Sequence, residues 1–133
     1  MSLLLDTHVV LWWLAGTGLD DTVVERIADG GELVAVSAAS IWEATIKAAL
    51  GKLRMPEGLA GAVVDEGFEP LAITFEHAEV AGGLPAHHRD PFDRMLVAQA
   101  LTENLTIVTH DPAFAPYGVA TLAARTTPGR RRR

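Results

Sequence analysis

Four carboxylates, Asp6, Glu43, Asp93 and Asp111, stand where a strand or helix face calls for an apolar or neutral side chain. Asp6 ends the run Leu3-Leu4-Leu5, Glu43 follows Ile41-Trp42, Asp93 precedes Met95-Leu96-Val97-Ala98, and Asp111 follows Leu105-Thr106-Ile107-Val108-Thr109-His110. Burying charge in this way is costly unless something positive sits among the acids. A hard divalent cation meets that need, and an all-oxygen, water-rich ligand set suits Mg²⁺ or Mn²⁺ better than zinc. The chain has no cysteine, which excludes thiolate zinc sites, cysteine nucleophiles and disulfide scaffolds.

The elements that must position these acids alternate between short apolar runs and helical stretches, the pattern of an α/β fold with a small, mainly parallel central sheet flanked by helices. Strands are expected at Ser2 to Asp6, Leu33 to Val36, Glu69 to Ile73, Thr106 to Thr109 and Val119 to Leu122. Between them the pattern predicts helices over Thr7 to Ala15, Asp20 or Asp21 to Ala28, a Ser37-capped stretch to Leu50, Pro56 to Glu66, Thr74 to Ala81, and Asp90-Pro91 to Asn104. Asp6 and Asp111 then lie just past the C-terminal ends of strands, the edge at which open α/β sheets hold their ligands. Glu43 and Asp93 fall in early turns of helices that start from the same edge, so four distant segments converge on one rim. Carboxylates crowded there without a cation would raise one another's pKa.

Length and charge bound what the site belongs to. A chain of 133 residues, 49% hydrophobic, can bury one core, and residues 1–124 are read as a single domain. No apolar run approaches the roughly 20 residues that span a bilayer, and no basic secretory segment precedes the first strand, so a cytoplasmic protein is expected. Residues 1–124 hold six bases against seventeen acids, a net charge of −11, while Arg125 and Arg130 to Arg133 supply the rest of the basic residues. That body has the wrong sign for a nucleic-acid binder that relies on Lys and Arg alone. Residues 125–133 are read as a basic, solvated, disordered tail.

Each acid also has a structural reading. Asp90-Pro91-Phe92-Asp93 is a good helix start, Ser40-Ile41-Trp42-Glu43 matches a capping box with Glu43 to Lys47 as an i, i+4 pair, and Asp111-Pro112 suits a turn. Asp6, at the end of a central strand, resists such a reading most. His8, His87, His88 and His110 lie near the acids, but lone histidines beside helix starts are more often structural. Trp12, Trp13 and Trp42 are core and groove-wall residues or a partner-binding surface.

Leu4-Leu5-Asp6-Thr7-His8, the segment Ser37 to Glu43, His87-His88-Arg89-Asp90-Pro91-Phe92-Asp93-Arg94 and Val108-Thr109-His110-Asp111 resemble, in order and spacing, the motifs of PIN-domain ribonucleases, and most closely the toxin of a VapBC-type toxin–antitoxin pair. The resemblance runs from Ser2 to about Leu122. It implies a three-layer PIN-like domain and hydrolysis of RNA phosphodiester bonds with Mg²⁺ or Mn²⁺, Asp6, Glu43, Asp93 and Asp111 being the metal-holding and catalytic acids. It further implies auxiliary roles for Asp90, Thr7 and Thr109, a VapB-type antitoxin, and a homodimer. Lys47 and Arg94, within about a helical turn of proposed ligands, are the candidates for steering RNA, with Arg89 behind them. Trp12, Trp13 and Trp42 are the candidate antitoxin groove. Two rivals are a non-cleaving RNA- or partner-binding module of the same fold and a metal-dependent phosphoesterase acting on a small substrate. A phosphoryl-accepting receiver domain needs a late lysine, and the last lysine is Lys52.

Overall fold

Leu3, Leu4 and Leu5 are all fully buried, because the first strand, Ser2–Leu5 (β1), is covered on both faces. The computed structural model describes residues 2–125. In it β1 lies among Val34–Ser37 (β2), Glu69–Leu71 (β3), Leu105–Thr109 (β4) and Thr121–Ala123 (β5), in one five-stranded sheet of order β3-β2-β1-β4-β5 with every pairing parallel. Six helices, Thr7–Ala15 (α1), Asp21–Ala28 (α2), Ala38–Ala49 (α3), Leu59–Asp65 (α4), Phe75–Gly83 (α5) and Pro91–Glu103 (α6), complete the α/β fold expected from the alternating pattern.

The pleat of β1 divides the core into two layers. Leu3 and Leu5 pack with Val9 and Val10 of α1, Val23 and Ile27 of α2 and Val63 of α4, whereas Leu4 packs on the other side with Leu96, Val97 and Ala100 of α6. The chain leaves β1 toward β2 on one side and later enters β4 on the other, so the order reverses at β1 and β4. In open parallel sheets a crevice forms at that reversal, outside the carboxyl ends of the strands. Asp6 and Asp111 follow those two strands. Among the described residues no helix is long and apolar enough to cross a membrane.

Local chemistry explains where elements depart from the expected boundaries. Pro56 does not open α4; the helix starts at Leu59 after Gly58, whose left-handed φ of 67° favours glycine. The strand expected from Glu69 to Ile73 ends at Leu71, and the helix expected to close at Ala81 runs on to Gly83. After β4, Asp111-Pro112 opens a 3-10 helix, Pro112–Tyr117, where the pattern shows only a turn.

Candidate metal centre

The Leu5–Val108 register of β1 and β4 sets the residues that follow, Asp6 and Thr109, beside one another. Asp6 is buried and serves as N-cap of α1: its Oδ1 accepts from the Thr7 N–H at 2.6 Å and its Oδ2 from the Thr109 hydroxyl at 2.7 Å. The Thr7 side chain turns the other way and donates to Glu43 Oε1 at 2.6 Å, and Lys47 donates to Glu43 Oε2 at 2.6 Å. Glu43 is not the acid of a capping box at Ser40. Ser37 caps α3 through the Ala39 N–H, which leaves the buried Glu43 carboxylate for Thr7 and Lys47.

At α6, Asp90 is the N-cap, accepting from the N–H groups of Phe92 and Asp93, with Pro91 at the first helical position. Asp93 is thereby aimed inward from the first turn, where His88 Nε2 lies 2.8 Å from its Oδ2. The Asp90 N–H approaches His88 Nδ1 at 3.4 Å, which leaves Nε2 as the ring nitrogen facing Asp93. His88 Nε2 also stands 4.0 Å from Asp111 Oδ2. Asp111 caps the 3-10 helix through the Ala113 N–H, and its own N–H donates to the Thr109 hydroxyl.

All four acids, with Asp90, line a single cavity of about 600 Å³. The tightest set of donor atoms within it is His88, Asp93 and Asp111, which lie within 4.8 Å of one another. His88 therefore belongs with the acids, a role hidden in the sequence because three other histidines sit equally close in the chain. His8 and His110 line the cavity as well, while His87 stacks edge-on against Tyr117.

The electrostatics are those of an anionic site short of positive charge. Burial pushes the Asp93 carboxyl up to about 7, helped by the charges of Asp6, Asp90 and Glu43 and opposed by His88. Burial also raises Asp6, against the hydrogen bonds from Thr109 and Thr7. Lys47 is held above its ordinary value by its hydrogen bond to Glu43, with Asp90 and Asp93 adding to the attraction. Oxygen donors buried and crowded so that their carboxyls are pushed upward are the chemistry a divalent cation relieves, so the residues present fit such an ion.

Some sequence-derived roles change. Arg94 is not available to steer a substrate: its guanidinium donates to the carbonyls of Ala81, Leu84, Pro85 and His88, clamping the loop between α5 and α6. Arg89 is exposed and does not line the cavity. Nor do the three tryptophans line one groove. Trp12 walls the acidic cavity and, with Trp13, an adjoining depression of about 410 Å³, whereas Trp42 packs edge-on against Phe92 and lines a separate apolar depression. Arg125, read as the start of the tail, packs on Trp12 with its guanidinium carbon 3.8 Å from the ring centroid. The remainder of the tail, residues 126–133, lies outside the described residues.

A family model described as the PIN domain matches residues 3–119. No curated protein matches at the sequence level. Among solved structures, VapBC2 from Rickettsia felis bound to a promoter DNA fragment aligns with a TM-score of 0.69 at 16% identity, over 92% of this chain and 98% of that one. A DNA-bound VapBC from Salmonella typhimurium gives 0.69 at 19% identity, over 92% and 97%. VapBC-5 from Mycobacterium tuberculosis gives 0.58 at 18% identity, over 95% and 100%. At these identities the likeness speaks for the fold.

Proposed function

The chain belongs to the PIN-domain family of nucleases, and from that premise we propose that it is a divalent-metal-dependent endoribonuclease acting as the toxin of a VapBC-type pair. The observation that carries the reading is the meeting of Asp6, Glu43, Asp93 and Asp111, from four separate stretches of chain, in one cavity at the sheet's reversal point. In this reading those four acids hold Mg²⁺ or Mn²⁺. A bound divalent cation supplies positive charge to the scissile phosphate and acidifies the attacking water.

The chain's own residues do the rest. Thr109 and Thr7 orient Asp6 and Glu43, so that the ligand oxygens are fixed before metal arrives. Asp90 fixes the first turn of α6 and His88 orients Asp93. Lys47 offsets the charge of Glu43 and faces the RNA backbone. The strong negative charge of the body favours a substrate drawn in through bound cations over one held by a basic surface.

The partner half of the reading rests on the likeness to VapBC complexes. Trp12 is shared by the acidic cavity and the Trp12–Trp13 depression, so an antitoxin segment lying in that depression reaches the acids and can insert a basic side chain among them. A homodimer belongs to the same reading. Sequencing RNA 5′ ends from cells briefly expressing the chain, beside cells expressing Asp6→Asn at equal level, tests it. New ends at discrete sites, absent with the variant, support a ribonuclease and name its target, whereas identical profiles with growth arrested by both proteins point to a non-cleaving binding module.

A further inference from the structure

Arg125 is a guanidinium without an acid partner among the described residues, on the wall of an acid-lined cavity. Its backbone is pinned from just before: Ala124 is buried, its N–H donates to Thr109 O at 2.9 Å, and its carbonyl accepts from the Asp20 N–H at 3.1 Å. The side chain then folds back over Trp12, with its guanidinium carbon 3.8 Å from the ring centroid. Trp12 is itself held: a Cβ at Gly18 would stand 2.9 Å from Trp12 Cγ, so only glycine fits there, and His8 and His110 flank the indole at centroid distances of 6.0 and 6.3 Å.

Two observations indicate that this guanidinium serves a ligand and not the fold alone. Arg125 Nε is buried and has no hydrogen-bond partner among the described residues. A buried donor left unmade is costly and is satisfied when an acceptor arrives. Stacking on an indole also leaves the edge of the guanidinium open, and that planar fork matches two oxygens of one phosphate. Lys47, the other Lys or Arg side chain lining the cavity among the described residues, is engaged by Glu43.

The surroundings supply a path. The acidic cavity and a second depression of about 410 Å³ share His110, Asp111, Pro112 and Arg125, and the second continues to Thr121 and Ala123 at the end of β5. A strand laid through both crosses Arg125 immediately beyond the acids. The geometry points to Arg125, stacked on Trp12, as the residue that grips a phosphate of single-stranded RNA flanking the scissile bond, with His110 beside it as a surface against which an unpaired base stacks. This assignment rests on the ribonuclease reading and requires an unpaired strand at this point, since a paired base has no exposed face to offer His110.

The test uses the full chain. Binding of a fluorescein-labelled single-stranded RNA is followed by anisotropy across a NaCl series, in the Asp6→Asn background to suppress turnover, for Arg125, Arg125→Gln and Arg125→Lys; thermal unfolding is recorded in parallel, and RNA cleavage by the unsubstituted chain is measured separately. Arg125→Gln should weaken binding about tenfold and reduce the salt slope by about 0.7, the value for one phosphate contact on a single strand. Arg125→Lys should restore the slope but not the full affinity, because an ammonium cannot make the forked contact. A duplex of the same sequence should bind more weakly and respond less to either change. If the unsubstituted chain cleaves RNA and Arg125→Gln keeps both affinity and slope, the assignment of Arg125 fails alone. A fall in melting temperature with affinity and slope unchanged overturns it too, in favour of a structural role. If the unsubstituted chain neither cleaves nor binds RNA, the ribonuclease reading fails and the assignment falls with it.

Discussion

The Thr109 hydroxyl donates to Asp6 Oδ2 at 2.7 Å across 103 positions of chain, tying the end of β4 to the end of β1 where the sheet reverses. The same hydroxyl accepts from the Asp111 N–H at 3.0 Å, so one threonine sets two of the four acids. Its hydrogen bond is part of how the acids are arranged before any cation is present.

Thr109→Val should therefore separate folding from metal binding. Removing the hydroxyl deletes two hydrogen bonds, one of them buried, and is expected to cost about 1–3 kcal/mol of stability by urea unfolding. Mn²⁺ affinity by titration calorimetry should fall about 10–100-fold, the usual penalty for losing a group that orients a ligand. Thr109→Ser should recover most of both. Unchanged Mn²⁺ affinity in a folded Thr109→Val protein would show that Asp6 needs no such support.

Acid crowding makes the metal-free chain sensitive to pH. The Asp93 carboxyl, raised to about 7 by burial and by the charges of Asp6, Asp90 and Glu43, binds a proton more tightly in the folded than in the unfolded state. Its favourable contribution is therefore full below the unfolded value of 3.8 and is lost as pH rises toward 7. Asp6, also raised, acts in the same direction. In EDTA the melting temperature should fall between pH 5 and pH 8, by an amount corresponding to about 3 kcal/mol from Asp93. Added Mn²⁺ should raise it more at pH 8 than at pH 5, and a pH-independent response to the metal would contradict this account.

Asp93→Asn removes the acid but keeps an oxygen to accept from His88. Without metal it should match or exceed the parent in stability at pH 8 and flatten the pH dependence, while Mn²⁺ ceases to stabilise it. A variant less stable than the parent at pH 8 in EDTA would mean that Asp93 supports the fold through its charge.

Arg94 is expected to act through the loop it clamps. With its guanidinium shared among the carbonyls of Ala81, Leu84, Pro85 and His88, Arg94→Ala should lower amide protection across residues 84–90 in hydrogen exchange, and Arg94→Lys should rescue little, having no planar fork. Because that loop carries His88 to Asp93, Mn²⁺ affinity should fall too. Protection left unchanged, with RNA binding weakened, would return Arg94 to the substrate-steering role read from its position in the chain.

Much of this was legible from residue order alone, for identifiable reasons. The run Leu3-Leu4-Leu5 reads as a strand covered on both faces because each of the three is buried, and Ser37, Thr74 and Asp90 cap helices where their types predict. Asp6, Glu43, Asp93 and Asp111 stood out because charge interrupts apolar pattern, a signal that survives without coordinates. Other features depend on geometry that no local pattern carries. His88 is one of four histidines flanking these motifs until the turn before α6 brings its Nε2 to Asp93, and Arg94 resembles any helix-surface arginine until carbonyls from the end of α5 and the loop after it face it. Composition groups Arg125 with the terminal arginines; its packing on Trp12 depends on Ala124 being held between Thr109 and Asp20. Ser40 and Glu43 fit a capping box by spacing, but Ser37 had already taken the N-cap.

The most direct measurement is cleavage of a defined single-stranded RNA by the purified chain in EDTA and in Mn²⁺, beside folded Asp6→Asn. The account predicts discrete products with the unsubstituted chain in Mn²⁺, none in EDTA, and none with Asp6→Asn under either condition. Cleavage that persists in EDTA, or that a folded Asp6→Asn protein performs at the parent's rate, would contradict a metal-dependent ribonuclease built on these four acids.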